Sequence, residues 1–203
     1  MAEQTLLRQS PLAFAADRLA EVTRATGGAV YIAELPFLTQ LNLRLDPKGP
    51  AAEAGALELG VPLPTGPGAA TSGPAGSDEL TVVWLGPDEW LVIGPPGTES
   101  DLAARLRSAI GDEHAAVVDV SAQRTTLELS GPRARDLLAS GCALDLHPRV
   151  FGEGASAQTL LARAQVILVG RRDGAFRVLV RASFAAYLVD WLIDASVEYR
   201  VTR

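Results

Sequence analysis

Residues 121–142, SAQRTTLELSGPRARDLLASGC, constrain the fold more than any other stretch, because they specify a strand, a stop and a helix in immediate succession. Leu127 and Leu129 alternate with Thr126 and Glu128, the period of two of a strand with one buried face, and Thr125 and Thr126 add β-branched residues that suit it. Ser130-Gly131-Pro132 ends the strand. Proline suits a first helical position, where no N–H is needed and φ is already helical, and Ser130 or Gly131 is placed to cap the free amides. A helix over 133–140 then sets Ala134, Leu137 and Leu138 at i, i+3 and i+4, facing the strand, with Gly141 as its left-handed stop.

Elsewhere the chain twice repeats a hairpin followed by a helix. LTVVWL (80–85), the turn Gly86-Pro87-Asp88 and EWLVIG (89–94) form the first hairpin. Its helix is capped by Thr98 with Asp101 and carries Leu102, Leu106 and Ile110 every fourth residue. A strand over 115–120 leads back to the opening unit. The run 159–169, TLLARAQVILV, reads as one strand, joined through an Asp173-Gly174 turn to FRVLVR (176–181). A helix over 183–195 follows, with Phe184, Leu188, Trp191, Leu192 and Ala195 on one face. Near the N-terminus, Ser10-Pro11 starts a helix that carries Leu12, Ala16, Leu19 and Val22 or Thr23 and stops at Gly27-Gly28, before short strands at 30–32 and 41–45. These units predict an α+β fold, mostly antiparallel sheet with helices packed on it, in a single domain over 1–203. Residues 49–79 stand apart. Their Gly, Pro and Ala content predicts a loop or insert that buries no core.

With 203 residues, 48% of them hydrophobic, the chain can bury a sizeable core. No run approaches the roughly 18 to 20 apolar residues of a membrane span, and MAEQTLLRQ has neither a basic n-region nor an apolar h-region, so a cytoplasmic protein is expected. A net charge of −6 argues against a nucleic-acid surface. Charge is uneven, with 7 basic and 16 acidic residues over 1–120 but 11 basic and 8 acidic over 121–203, which predicts two differently charged faces.

The chemistry-bearing residues form no constellation. Cys142 is the single cysteine, which excludes an internal disulfide and a multi-cysteine zinc site; with His147 and His114 it leaves too few ligands for zinc and no clear thiolate-base pair. Cys142 is expected in the core and His147 in a loop hydrogen bond. Gly152-Glu153-Gly154-Ala155-Ser156-Ala157 matches G-x-G-x-x-G/A, yet Pro148 breaks the strand that a dinucleotide site requires before it. Asp88-Glu89 and Asp112-Glu113 fall in turns, where acidic residues are ordinary, and Trp84 and Trp90 suit the core and rim of their hairpin. No catalytic, cofactor-binding or metal residue is assigned.

Several blocks carry a family resemblance. Val118-Asp119-Val120-Ser121 with LELSGPRA (127–134) and Leu137-Leu138 resembles the D-x-S strand and following segment of glycine-cleavage T-protein, a folate-binding aminomethyltransferase. ELPFLTQLNLR (34–44), WLGPDEWLVIG (84–94) and GCALDLHPRVFGEGASAQTLLARAQVIL (141–168) resemble the gamma subunit family of heterotetrameric sarcosine oxidase. The resemblance implies a T-protein-like fold and a noncatalytic accessory subunit of an enzyme that oxidatively demethylates sarcosine to glycine, giving hydrogen peroxide and passing the one-carbon unit to tetrahydrofolate. It implies alpha, beta and delta subunits as partners, with FAD, FMN, NAD and tetrahydrofolate on those other subunits and none on this chain. T-proteins carry two adjacent acids before one strand. Aligning Val166-Ile167-Leu168 with that strand puts Ala164 and Gln165 in their places, and a neutral amide cannot act as a carboxylate base. By itself, then, the chain is expected to be inactive, and an apolar partner surface would let it self-associate. Trp90, Arg124, Phe151 and Arg163 are the candidate interface residues, core packing being the competing reading for Trp90 and Phe151. The alternative is a free-standing folate-binding T-protein-like protein.

Overall fold

The computed structural model describes residues 8–73 and 80–201. Within these residues, ten strands form two five-stranded sheets, antiparallel throughout. The first sheet contains β1 (Tyr31–Leu35), β7 (Arg124–Ser130), β8 (Ser156–Leu161), β9 (Ala164–Gly170) and β10 (Phe176–Arg181), in the order β1-β7-β10-β9-β8. The second contains β2 (Thr39–Leu45), β3 (Ala70–Ser72), β4 (Thr81–Gly86), β5 (Glu89–Gly94) and β6 (Ala115–Asp119), in the order β3-β4-β5-β2-β6. Among the described residues there are five α-helices: α1 (Ala16–Ala25), α2 (Pro50–Leu59), α3 (Glu99–Ile110), α4 (Ala134–Ala139) and α5 (Ala182–Ala195).

Alternation along the strands sorts the core into three layers. Leu127, Leu129, Leu168, Phe176 and Val178 point out of the first sheet and pack with Leu19 of α1, Leu137 of α4 and Leu188 of α5. Leu41, Leu43, Val82, Trp90 and Val92 point out of the second sheet and pack with Leu59 of α2 and Leu102 and Leu106 of α3. Between the sheets, Val83, Leu91 and Ile93 meet Ile167, Val169 and Leu179. The order is therefore helices, sheet, sheet, helices. Each predicted hairpin-plus-helix unit belongs to a different sheet, with β4-β5-α3 in one and β9-β10-α5 in the other.

β7 forms as its alternation requires, but it lies between β1 and β10 with Thr126 only 1% exposed, so both of its faces are buried rather than one. The following helix is shorter than predicted. Pro132 sits in the preceding turn, Arg133 holds the N-cap position and no side chain caps the helix; Gly131, at φ 102°, makes the turn with Ala29 O at 2.7 Å from where a Cβ would stand. Thr98 likewise caps nothing, donating instead to Pro95 O at 2.8 Å and forming a hydroxyl contact with Thr39 at 3.1 Å. α1 begins at Ala16 after a 3-10 turn, and Ala15 rather than Ala16 is buried. Phe184 is 46% exposed and lies off the buried face of α5, which presents Ala185, Leu188, Val189 and Leu192.

Two expectations are corrected. Residues 49–79 are not a coreless loop: α2 begins with Pro50 at N1, ends on Gly60 at φ 64°, and buries Ala51 and Leu59, and Val61 beyond it, against α3, while 70–72 form β3. Residues 74–79 lie outside the described set. The run 159–169 is not one strand either. It folds back at Ala162-Arg163, and Leu161 pairs with Ala164 to start the β8-β9 hairpin. The Asp173-Gly174 turn forms as predicted, both residues having positive φ (56° and 72°).

The sheets join at two corners. Ala70 N donates to Gly154 O at 2.7 Å and Ser156 N to Gly68 O at 2.8 Å, which ties β3 to β8. At the other corner, Asp119 Oδ1 accepts from Ser121 N (2.9 Å) and from Ser121 Oγ (2.6 Å), and that Oγ accepts from Gln40 N at 2.9 Å. The D-x-S pattern thus fastens the crossing from β6 to β7 onto β2.

Candidate functional site

Most residues with catalytic side chains are occupied structurally. Cys142 is buried in the outer core of the first sheet, while His147 is exposed and its Nδ1 accepts from Arg149 N at 3.2 Å. Asp88 pairs with Arg44 at 3.0 Å and Glu89 accepts from Asn42 Nδ2 at 2.7 Å. Gly152 and Gly154 form a turn whose amides and carbonyls close on Gly170, and a strand rather than a helix follows it. A Cβ at Gly170 would collide with Gly152 O. Among the described residues no group of three or more His, Cys, Asp or Glu side chains is placed to hold a metal ion.

The four interface candidates separate. Trp90 is 2% exposed and its Nε1 donates to Pro64 O at 2.8 Å, so it is a core residue of the second sheet. Phe151 is buried, stacks on Phe176 at 6.3 Å, and its carbonyl accepts from Arg135 Nη1 at 3.0 Å. Core packing holds for both. Arg163 is exposed in the β8-β9 turn, where its backbone N–H donates to Tyr187 Oη at 3.3 Å. Arg124, at the start of β7, lines a groove.

This groove, about 360 Å³ in volume, opens at one end of the first sheet. Arg124 and Arg181 stand opposite one another in register across β7 and β10, and Gln158, Leu160 and Gln165 reach it from β8 and β9. Gln158 Nε2 donates to Leu85 O at 2.9 Å, tying the groove to the end of β4. Burial lowers the pKa of Arg124, the neighbouring Arg181 charge lowers it further, and Glu89 offsets this only in part. No carboxylate lines the groove among the described residues. Ala164 is buried in the core and Gln165 faces the groove. Arg181 was missed from the sequence, because only strand pairing sets it beside Arg124.

The family model "Sarcosine oxidase, gamma subunit family" matches residues 44–198, three quarters of the chain and all of the groove. The chain belongs to the sarcosine oxidase gamma subunit family. Among its relatives, "Sarcosine oxidase subunit gamma" of Corynebacterium sp. (strain P-1) is 43% identical over 198 residues, covering 97% of this chain and 94% of that protein. The subunit of the same name from Arthrobacter sp is 43% identical over 200 residues, with the same coverage. A chain of the solved heterotetrameric sarcosine oxidase from Corynebacterium sp. U-96, in complex with pyrrole 2-carboxylate, superposes on this gamma-family chain with a TM-score of 0.87 at 37% identity, over 97% of this chain and 98% of that one. The glycine cleavage system aminomethyltransferase T of Bartonella henselae shares the fold, with a TM-score of 0.61 at 14% identity over 85% of this chain and 48% of that one. The T-protein-like α+β fold expected for a gamma-subunit chain is therefore present.

Proposed function

We propose that this chain is the noncatalytic gamma subunit of a cytoplasmic heterotetrameric sarcosine oxidase, a single gamma-type domain that packs against alpha, beta and delta subunits. In this reading those subunits hold FAD, FMN, NAD and tetrahydrofolate, and the present chain supports their assembly. The end-to-end correspondence with a chain of a heterotetrameric sarcosine oxidase, at a TM-score of 0.87, carries the reading. The groove is lined by two arginines, neutral amides and apolar side chains.

The free-standing folate-binding reading calls for an aromatic wall and a carboxylate for the pterin ring; the arginine groove has neither, a second hollow of about 500 Å³ beside α1 and β1 is lined by Tyr31 and Glu34, and calorimetry with tetrahydrofolate tests that reading. Co-expression with the other subunits tests the proposal. The chain should co-purify with them, and alone it should show no visible flavin absorbance and no turnover of sarcosine. Sustained oxidase activity from the purified chain alone would rule the proposal out.

A further inference from the structure

Most of the arginines that reach across this protein already have an acceptor. Arg18 pairs with Asp190 at 2.8 Å, Arg44 with Asp88 at 3.0 Å and Arg133 with Asp136 at 2.8 Å, while Arg107 donates to Val117 O at 2.5 Å. The guanidiniums of Arg149, Arg163 and Arg200 have none among the described residues, and neither does the groove pair, which differs from them in its cross-strand pairing. Among the described residues neither the Arg124 nor the Arg181 guanidinium has a hydrogen bond or an ion pair, although they face one another on adjacent strands. Side chains so opposed start about 5 Å apart at Cβ. The Arg181 charge acts unfavourably on Arg124, which is also partly withdrawn from water.

Glu89, the acid whose charge acts on Arg124, already accepts from Asn42 at 2.7 Å and does not line the groove. Arginine is the side chain best shaped for a carboxylate, since its planar fork donates two parallel N–H bonds to the two oxygens.

We propose that the groove between Arg124 and Arg181 is a carboxylate-binding site, with Gln158 and Gln165 as its polar rim. A carboxylate seated there cancels the repulsion of the pair and gives both guanidiniums acceptors. The volume of about 360 Å³ admits either a small free carboxylate or an acidic side chain of a neighbouring subunit. The chemistry is the same for both sources, and only the second rests on the subunit assignment.

Two measurements separate them. In the first, succinate is titrated calorimetrically into the isolated full-length chain, with uncharged succinamide and sodium chloride of equal ionic strength as controls. If the site takes free carboxylates, succinate binds saturably, succinamide does not, and Arg181→Gln or Arg124→Gln weakens binding roughly 10- to 100-fold, the loss of one charge-assisted hydrogen bond. Arg181→Lys, which keeps the charge, recovers part of it.

In the second, the same variants are co-expressed with the other subunits and the salt concentration that dissociates the complex is read. A partner carboxylate in the groove predicts that Arg181→Glu and Arg181→Gln release the subunit at lower salt than Arg181→Lys. The site is overturned if succinate fails to bind and the variants assemble like wild type, or if succinate binds undiminished to the Arg124→Gln/Arg181→Gln double variant. Failure of the wild-type chain to assemble counts against the subunit assignment, and the succinate titration then decides the site alone.

Discussion

At residue scale, the second core hangs on Trp90. Its ring is packed among Leu41, Leu43 and Leu102 while its N–H reaches Pro64 O at 2.8 Å, so one side chain fixes both the packing of a sheet and the path of residues 61–69. Trp90→Ala is expected to cost about 3–5 kcal/mol, and Trp90→Phe, which keeps most of the volume but loses the donor, nearer 1 kcal/mol. Urea unfolding monitored by circular dichroism measures both. Tyr199 supplies a pH dependence. Burial first, then the charges of Asp136 and Glu198, raise its phenol pKa above the ordinary value. The folded state therefore holds that proton more tightly than the unfolded chain, and the stabilisation is complete below pH about 10 and lost as pH rises through the folded pKa. Tyr199→Phe should flatten the alkaline limb of stability and leave neutral pH unchanged; an alkaline limb identical to wild type would refute this assignment.

At element scale, α2 shows how composition misleads. The segment 49–79 has the glycine and proline content of a loop, but those residues concentrate after Gly60, and PAAEAGALEL before it is a good helix sequence with proline at its first position. Averaging over the whole stretch hid that boundary. If α2 is a packed helix, Leu59→Ala should cost about 2–5 kcal/mol, because Leu59 is 5% exposed against α3, whereas Leu57→Ala, at 83% exposed, should fall within about 0.5 kcal/mol of wild type. Equal effects at the two positions would return the segment to a loop. The β8-β9 hairpin was illegible for the opposite reason. TLLARAQVILV contains no Gly, Pro or Asn to mark a turn, and its reversal relies on Ala162 held at φ 51° by pairing on both sides. The Asp173-Gly174 turn, by contrast, was legible because those residues accept positive φ at little cost.

At the scale of the whole molecule, the layer between the sheets joins two separately covered halves. Ile167, Val169 and Leu179 meet Val83, Leu91 and Ile93 there, and the corners at Ala70 and Ser121 add hydrogen bonds from one sheet to the other. Ile167→Ala should destabilise by about 2–5 kcal/mol, and both sheets should unfold together. Tryptophan fluorescence of a Trp84→Phe/Trp191→Phe background, which reports on Trp90, should lose its signal at the same urea concentration as far-ultraviolet circular dichroism. Separate midpoints would show that the sheets unfold independently. The uneven charge along the chain also gains a place. β2 to β6, with α2 and α3, come from the acidic first 119 residues, while β7 to β10 come from the basic remainder, so the charge difference largely follows the two sheets.

Periodicity and turn residues act within a few residues, so the sequence determined what those local rules reach: a strand through Thr125 to Leu129 and a helix after it, the hairpin at 80–94 with its helix, the strand at 176–181 with its helix, the burial of Cys142, and the family; the caps expected at Ser130 or Gly131, Thr98 and the left-handed Gly141 do not form. It also determined that no acid lies between Gly154 and Arg172. Tertiary structure decided which faces meet. A strand with one apolar and one threonine-bearing face is half-buried until a second sheet covers it, as happens to Thr126. Arg124 and Arg181 are 57 positions apart and become neighbours only through the register of β7 with β10. That register depends on hydrogen bonds and packing among distant strands, which no local pattern encodes.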